Sequence, residues 1–253
     1  HLTRIIRESG VMNGAILTTF DPADPANKAE TDKLLEEIRA YAVTDAVKSV
    51  TCAEPEVYNE KGETHIVLMH YGCKRNIVRC LVKRGCKVTV MPAFATAEQI
   101  KALAPDGIML SNGPGDPAEP VEVIENLKHI FELNIPTFGI CLGHQVIALS
   151  YGARTFKMKF GHRGGNHPVR NLATGRIEIT SQNHSFAVDT ESLKGTGLTL
   201  THLNLLDDTA EGVECRADRI FSVQYHPESA PGPQDSTYLF DKFIKMMEES
   251  QNA

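Results

Sequence analysis

One short run constrains the fold more than any other part of the chain: Ile135-Pro-Thr-Phe-Gly-Ile-Cys-Leu-Gly-His-Gln145. An apolar, strand-like segment leads directly into Cys141, and a helix-compatible segment, 142–151, follows it. The glycines on either side, Gly139 and Gly143, permit the tight strand-to-helix turn called a nucleophile elbow. A cysteine in an apolar run is otherwise most often a small core residue. The glycines favour the elbow, and the start of a helix stabilises a thiolate there.

A thiolate nucleophile needs a base, and Phe221-Ser-Val-Gln-Tyr-His-Pro-Glu228 supplies a candidate. In an extended segment residues two apart face the same way, so we expect His226 and Glu228 to lie side by side, with Pro227 ending the strand pairing. Cys141 would then be the nucleophile, His226 the proton carrier and Glu228 the carboxylate that orients the imidazole. Alone, His-Pro-Glu is typical of a surface turn. Together with the elbow it predicts a catalytic triad.

A third motif, Ser111-Asn-Gly-Pro-Gly-Asp-Pro117, follows the apolar segment 106–110. A loop at the carboxyl end of a buried parallel strand lies where open α/β sheets bind ligands, and its N–H groups can face a developing oxyanion. An isolated Gly-Pro-Gly is typical of a plain turn. No Gly-Lys-Ser/Thr follows it, so the loop is not a phosphate-binding P-loop.

Strand-like and helix-like segments alternate through the middle of the chain. The predicted strands are 65–70, 87–91, 107–110 and the run ending at Cys141, and the predicted helices are 74–84, 97–104, 121–133 and 142–151. This alternation predicts an α/β fold with a mostly parallel open sheet flanked by helices. From Arg176 onward the chain is richer in strands and ends in a predicted helix, 237–249.

The first 62 residues differ in character from the rest. The segment 57–63 is polar and turn-rich, which indicates a linker. We therefore expect two parts, 1–62 and 63–253. The first contains an acidic, proline-containing stretch, 21–24, and an amphipathic segment, 30–41.

Composition excludes several classes of protein. Of 253 residues, 42% are apolar, which suffices for a substantial core. A net charge of -6 with scattered basic residues argues against nucleic-acid binding as the main role. No apolar stretch approaches the roughly 20 residues of a membrane span, and no signal-like start is present. The six cysteines (52, 73, 80, 86, 141 and 215) lack metal-site or disulfide-framework spacing, so we expect reduced thiols in a cytoplasmic enzyme.

Together, the motifs 111–117, 138–145 and 226–228 resemble those of a class I glutamine amidotransferase. Two further stretches, 157–169 and 180–189, are more similar to the small, glutaminase subunit of carbamoyl-phosphate synthetase than to the glutaminases of anthranilate, GMP or CTP synthesis. The resemblance covers nearly the whole chain. It implies the flavodoxin-like fold of class I glutaminases. It also marks residues 1–62 as the C-terminal remnant of a separate N-terminal domain plus a linker, in a fragment without most of that domain.

The resemblance further implies a reaction and a set of site residues. Cys141 would attack the side-chain amide of L-glutamine, giving a glutamyl thioester and ammonia, and water would then release glutamate. The backbone N–H groups of Gly113 and Leu142 would form the oxyanion hole, and Gly115 would border the glutamine pocket. The amino-acid end of the substrate would be held by Gln145, Asn183, Ser185 and Phe186.

A partner is implied as well. The ammonia would pass to a large synthetase subunit that uses ATP, Mg and bicarbonate to make carbamoyl phosphate for arginine or pyrimidine synthesis, and this chain would need no cofactor or metal. Three alternatives stay open: a class I glutaminase of another biosynthetic synthetase, a catalytically silent regulatory scaffold, and a cysteine hydrolase of γ-glutamyl peptides.

Several residues have two interpretations or depart from the family pattern. His162 and His167 suggest a metal site, but with no acidic or thiolate residue at ligand spacing we expect them to shape a loop. The basic residues Lys157, Lys159 and Arg163 are a solvated face or a docking edge for the partner. Two departures are His70, where the family usually has aspartate, and Ser185, where it usually has glycine.

Overall fold

A computed structural model describes residues 1–252, which form two compact units, 1–44 and the part from Asp45 onward. The smaller unit contains α1 (Leu2–Ser9), a 3₁₀ turn (Pro25–Asn27) and α2 (Lys28–Ala40). Neither helix has a buried residue. The Asn13 side chain donates to the carbonyls of Ile38 and Tyr41, which ties the segment after α1 to the end of α2.

The larger unit alternates strands and helices before it becomes rich in strands. Its helices are α3 (Ala46–Val50), α4 (Arg75–Val82), α5 (Ala97–Ala102), α6 (Val121–Phe131), α7 (Leu142–Ser150) and α8 (Tyr238–Gln251). Its strands are β1 (Glu56–Tyr58), β2 (His65–His70), β3 (Lys87–Pro92), β4 (Gly107–Leu110), β5 (Thr137–Ile140), β6 (Thr155–Asn171), β7 (Ile177–Val188), β8 (Thr199–Asn204), β9 (Ala210–Cys215) and β10 (Ile220–Val223).

Within residues 1–252 these strands form one sheet in the order β1-β3-β2-β4-β5-β10-β9-β8-β6-β7. Neighbours from β3 to β10 pair in parallel, and we call these five strands the parallel half. The strands β9, β8, β6 and β7 follow with antiparallel pairing, and we call them the antiparallel half. Strand β10 joins the two halves, because it pairs in parallel with β5 and antiparallel with β9.

Apolar side chains cover both faces of the parallel half. Strand β2 shows the pattern, since Val67 and Met69 belong to one core cluster and Ile66 and Leu68 to the other. Helices α6 and α7 pack on the first face, and α4 and α8 on the second. A strand buried on both faces has no polar face, so its sequence is a continuous apolar run. This property explains why the sequence predicts these strands well.

The predicted fold class is confirmed: an open α/β sheet flanked by helices, with a parallel half and an antiparallel half. The predicted strands and helices of the middle region are also present, with ends shifted by a few residues at most. Among the described helices, none is long and apolar enough to cross a membrane.

One detail differs from the expectations. Strand β10 ends at Val223, so His226 and Glu228 lie in the turn after it and not in an extended segment. The compact units part at 44/45, and the domain boundary at 62/63 stays a prediction. Residues 45–62 belong to the larger unit because β1 pairs with β3 and the Asp45 N–H donates to Glu119. The origin of 1–62 in a separate N-terminal domain stays a prediction.

Candidate active site

Cys141 occupies a strained turn between β5 and α7. Its φ of 54° lies in a region that residues with a side chain rarely adopt. A Cβ added at Gly139 would lie 2.5 Å from Cδ1 of Ile147. A Cβ added at Gly143 would lie 2.3 Å from the Leu110 carbonyl oxygen. Glycine is therefore required on both sides of the turn, and the strand-to-helix elbow predicted from the sequence is present.

His226 and Glu228 lie beside this turn and are both buried. The Nδ1 atom of His226 is 2.7 Å from Oε1 of Glu228, and the His226 N–H donates to the Ser181 carbonyl. Lys74 also contacts this carboxylate, with its Nζ 3.1 Å from the same oxygen. The turn after β10 thus places the two predicted side chains together, although the strand has already ended.

The charges of these groups are coupled. Burial lowers the pKa of His226, but the Cys141 side chain and Glu228 outweigh that effect and raise the pKa to about 9. Burial raises the pKa of Glu228, but the hydrogen bond and charge of His226, together with Lys74, hold it below its ordinary value. At neutral pH His226 is therefore an imidazolium, with Glu228 accepting its Nδ1 proton.

A cleft of about 470 Å³ opens above Cys141 and His226. It lies at the carboxyl ends of the parallel strands, which is where open α/β sheets bind ligands. Of the predicted substrate and oxyanion residues, Gly113 and Asn183 line this cleft. These two residues come from opposite halves of the sheet region, so the cleft lies where the halves meet.

The backbone N–H groups of the two predicted oxyanion-hole residues have no acceptor within the described chain. Leu142 is the first residue of α7, and the first N–H groups of a helix have no acceptor within it. Within residues 1–252 the backbone N–H groups of Leu142 and Gly113 donate no hydrogen bond. Gly115, the predicted pocket border, has a φ of 92° and lies against Ala46. Its backbone conformation favours glycine, but it is not part of the cleft wall.

The other predicted substrate residues do not line the cleft and are hydrogen-bonded within the protein. Gln145 is buried in α7, and its amide donates at 2.8 Å to the Phe186 carbonyl and at 2.8 Å to Gln224. The Ser185 hydroxyl accepts a hydrogen bond from Arg163 at 2.6 Å. None of these side chains lines the cleft, so their contact with a substrate stays a prediction.

Sequence reasoning missed two residues of the site. Lys74 pairs with Glu228, and the Asn76 side chain donates to the Glu228 carbonyl. Both follow the carboxyl end of β2, whose neighbour β4 leads into the Gly113 loop. Since polar residues after adjacent parallel strands meet at one sheet edge, this position was the available signal. His70, at the end of β2, lines the cleft, and its buried Nδ1 has no partner within residues 1–252.

Behind the cleft the antiparallel half contains a group of buried polar side chains, which we call the polar layer: His162, Gln182, His184, Asn204 and Glu211. Oε1 of Glu211 accepts hydrogen bonds of 2.8 Å from both Gln182 and Asn204. Gln182 also contacts His184 Nε2, at 2.6 Å. These bonds pair polar groups that would be costly to bury alone, whereas Oε2 of Glu211 has no partner within residues 1–252.

The histidines of the polar layer have opposite charge preferences. Burial lowers the pKa of His162, but hydrogen bonds to Glu211 and Asp207 outweigh this and raise it. Burial lowers the pKa of His184 to about 3. Ligand atoms of His162, His184 and Glu211 lie within 4.8 Å of one another, so an acidic residue does accompany His162, contrary to the reasoning from sequence spacing. The expectation that the chain needs no metal is not tested by this geometry and stays a prediction.

Residues 66–246 match the family model Glutamine amidotransferase class-I. The carbamoyl phosphate synthase small chains of Staphylococcus epidermidis and Chlorobaculum tepidum are each 49% identical, over 98% and 99% of this chain. That of Listeria innocua is 48% identical over 97%. The chain spans 65% of the length of the Staphylococcus and Listeria proteins and 68% of the Chlorobaculum protein.

Similarity of fold extends to the solved structure of a GMP synthase protein from Thermoplasma acidophilum. It matches with a TM-score of 0.66 and 22% identity, over 75% of this chain and 96% of that one. At this identity the match shows the fold alone. The family match and the relatives go further: the chain belongs to the class-I glutamine amidotransferases and, among them, to the carbamoyl phosphate synthase small chains.

Proposed function

We propose that this protein hydrolyses L-glutamine to glutamate and ammonia. The observation that carries the proposal is the placement of Cys141, on its strained elbow, beside the buried His226–Glu228 pair in an open cleft. The His226 imidazole beside the sulfur can carry the proton that the thiol gives up when it acts as the nucleophile. Without His226 the thiol would lose its proton carrier.

The geometry supports a two-step acyl transfer. The Cys141 thiolate attacks the amide carbon of glutamine, and the oxyanion that forms is stabilised by the N–H groups of Gly113 and Leu142. His226 donates its proton to the leaving nitrogen, which departs as ammonia and leaves a thioester. Water then attacks the thioester carbon and gives a proton to His226. The C–S bond breaks, glutamate leaves and the thiolate with its imidazolium is restored.

We further propose that the ammonia passes to a large, ATP-dependent subunit, which uses Mg and bicarbonate to make carbamoyl phosphate. The names of the relatives support this partner. This chain would itself need no cofactor. We place the protein in the cytoplasm, since its six cysteines are all free, as expected in a reducing compartment.

Intact-mass spectrometry with a glutamine-shaped diazo-ketone tests the proposal. We expect one adduct per chain, protection by L-glutamine, and loss of the adduct in Cys141→Ser. The control Cys52→Ser, which alters a partly exposed thiol, should label like the wild type. A folded protein that gains no adduct would support the silent-scaffold alternative.

The synthetase partner needs a separate test. Glutaminase activity should rise when the large chain of a carbamoyl phosphate synthase is added and should not rise with another amidotransferase-dependent synthetase. Activation by the other synthetase would identify a class I glutaminase of another pathway. Faster hydrolysis of γ-glutamyl peptides than of glutamine would indicate the peptidase alternative.

A further inference from the structure

Two histidines of the polar layer each have one ring nitrogen held by an acceptor outside the layer. Nε2 of His162 lies 2.8 Å from a carboxylate oxygen of Asp207, and Nδ1 of His184 lies 2.7 Å from the Phe186 carbonyl oxygen. Neither acceptor has a proton to give, so both ring nitrogens are N–H donors. Metal-binding histidines are held in this way, with the second nitrogen as the ligand. In this protein the second nitrogens are Nδ1 of His162 and Nε2 of His184.

Nε2 of His184 faces an atom that cannot donate a proton to it. It lies 2.6 Å from Oε1 of Gln182, while the amide nitrogen of Gln182 donates to Oε1 of Glu211 at 2.8 Å. Turning the amide over would bring Gln182 Oε1 against the Glu211 carboxylate, so two acceptors would still face each other. A proton on Nε2 or a cation between the groups removes this buried mismatch.

A metal ion would satisfy more of the polar layer than a proton. Ligand atoms of His162, His184 and Glu211 lie within 4.8 Å of one another, and all three residues are buried. Oε2 of Glu211 has no hydrogen-bond partner within residues 1–252. A proton on His184 would satisfy the contact with Gln182 and leave this carboxylate oxygen unpaired. A metal ion between the three side chains would accept electron pairs from both rings and from the carboxylate.

A third histidine lies beside the cluster. The ring centroid of His167 is 4.9 Å from that of His162. Its Nε2 is 3.2 Å from the Arg163 carbonyl oxygen, so this nitrogen also donates an N–H. Its Nδ1 is buried and has no partner in the described part of the chain. His167 is therefore available as a fourth ligand, a place that water takes in catalytic zinc sites.

We propose that His162, His184 and Glu211 form a binding site for a divalent transition-metal ion, with Zn²⁺ as the ion that suits it. Imidazole nitrogens select zinc and its neighbours over Mg²⁺ and Ca²⁺, which prefer oxygen ligands. Zn²⁺ binds imidazole nitrogen at about 2.0–2.1 Å, so the ligands of a tetrahedral site lie roughly 3.4 Å apart. The ligand atoms, which lie within 4.8 Å of one another, would move together by about 1 Å to bind the ion.

The ion would connect three strands of the antiparallel half. His162 is in β6, His184 in β7 and Glu211 in β9. Successive residues of a strand face opposite sides, so His184 faces away from the side on which Asn183 lines the cleft. The site is therefore separate from the reaction at Cys141. Its expected effect is on stability, because an ion that binds only the folded chain raises the unfolding temperature.

Titration of chelator-treated protein with Co²⁺, followed by Zn²⁺, tests the site. The host is Cys141→Ser, so that the thiol beside His226 cannot bind the ion. We expect one Co²⁺ per chain, with visible absorption and without the near-ultraviolet band of a cobalt–thiolate bond. Zn²⁺ should displace the Co²⁺, and the unfolding temperature should rise with the concentration of Zn²⁺.

Single substitutions in this host assign the ligands. His184→Gln and Glu211→Gln each remove or weaken one ligand. They should lower the affinity for Co²⁺ by more than the roughly tenfold expected for Asp207→Asn, which changes only the carboxylate that orients His162. The control His129→Gln changes an exposed histidine of α6 and should keep the affinity of the host. Circular dichroism checks that each variant folds, and His162→Gln replaces any ligand variant that does not.

Three results would overturn the proposal. The first is the absence of a bound ion, or an affinity that is unchanged in every folded ligand variant. The second is a cobalt–thiolate band, because the ion would then lie on cysteines. The third is a ¹⁵N NMR spectrum of the metal-free protein at neutral pH with protons on both ring nitrogens of His184, because an imidazolium would then stand in place of the ion. We expect a proton on Nδ1 alone.

Discussion

The parallel and antiparallel halves of the sheet are stabilised by different contacts. In the parallel half, strands such as β2 bury apolar side chains on both faces. In the antiparallel half, buried positions include the hydrogen-bonded polar layer around Glu211. Apolar packing is non-directional and tolerates exchange of similar side chains, whereas a buried polar group needs its particular partner.

The candidate active site lies where these halves meet and uses both. The parallel half supplies the Cys141 elbow, and the antiparallel half supplies Asn183 and the Ser181 carbonyl that binds the His226 N–H. The nucleophile is thus fixed by close packing, while the wall opposite it depends on hydrogen bonds. Substitutions in the two halves should therefore differ in their cost and in their dependence on pH.

We expect the largest loss of stability from Glu211→Leu. This change removes the acceptor of Gln182 and Asn204, and the unpaired buried donors should lower the free energy of unfolding by about 4 kcal/mol. In the parallel half, Met109→Leu keeps the volume of a fully buried side chain and should cost less than about 1.5 kcal/mol. Urea unfolding measures both. Equal costs would remove the distinction between the halves.

Glycine positions sharpen the comparison. In a helix alanine is favoured over glycine by about 1 kcal/mol, yet Gly143→Ala should destabilise by about 3 kcal/mol because of the clash with the Leu110 carbonyl. At Gly165, on β6, the nearest atom to an added Cβ is 3.5 Å away, so Gly165→Ala should change stability by less than about 0.5 kcal/mol. Thermal unfolding of both variants decides the matter, and a stabilised Gly143→Ala would contradict the close-packed elbow.

A pH titration tests the coupling at the meeting point. The pKa of His226 is raised from 6.5 to about 9, so its contribution to stability is fully present below pH 6.5 and is lost as pH rises through 9. The shift corresponds to at most about 3 kcal/mol. Cys141→Ala removes the first of the groups that raise this pKa, so the loss of stability between pH 6.5 and 9 should shrink. An unchanged slope would mean that Cys141 does not contribute to the charge of His226.

The sequence predicts the parallel half and the Cys141 elbow well and the polar layer poorly, for physical reasons. Strands buried on both faces are continuous apolar runs, and the elbow has its glycines within two residues of Cys141, so both are visible locally. The polar layer depends on which residues of β6, β7, β8 and β9 face one another. That register includes irregularities between Lys157 and His162 and between Gly164 and His167, which no local pattern predicts.

In the candidate site too, residues adjacent in sequence can be predicted to lie together, whereas contacts set by strand register cannot. The adjacency of His226 and Glu228 was predicted, but from an extended segment, whereas a turn produces it. The contact between Ser185 and Arg163 could not be predicted, because the two residues meet only through the hairpin register.

We expect the smallest effect when Lys74 is replaced. It lies after β2 in the parallel half and contacts Glu228 after β10, with its side chain 34% exposed, so solvent weakens the ion pair to about 1 kcal/mol. Glu228 has a lowered pKa, so its contribution to stability is lost as pH falls through that value. Lys74→Met should raise the pKa of Glu228, so stability should begin to fall at a higher pH on the acid side. Labelling of Cys141 should slow about fivefold. The control Lys101→Met removes an exposed lysine of α5 and should leave both unchanged. If both variants behave alike, Glu228 is held by His226 alone, and the parallel half contributes the nucleophile without stabilising the carboxylate.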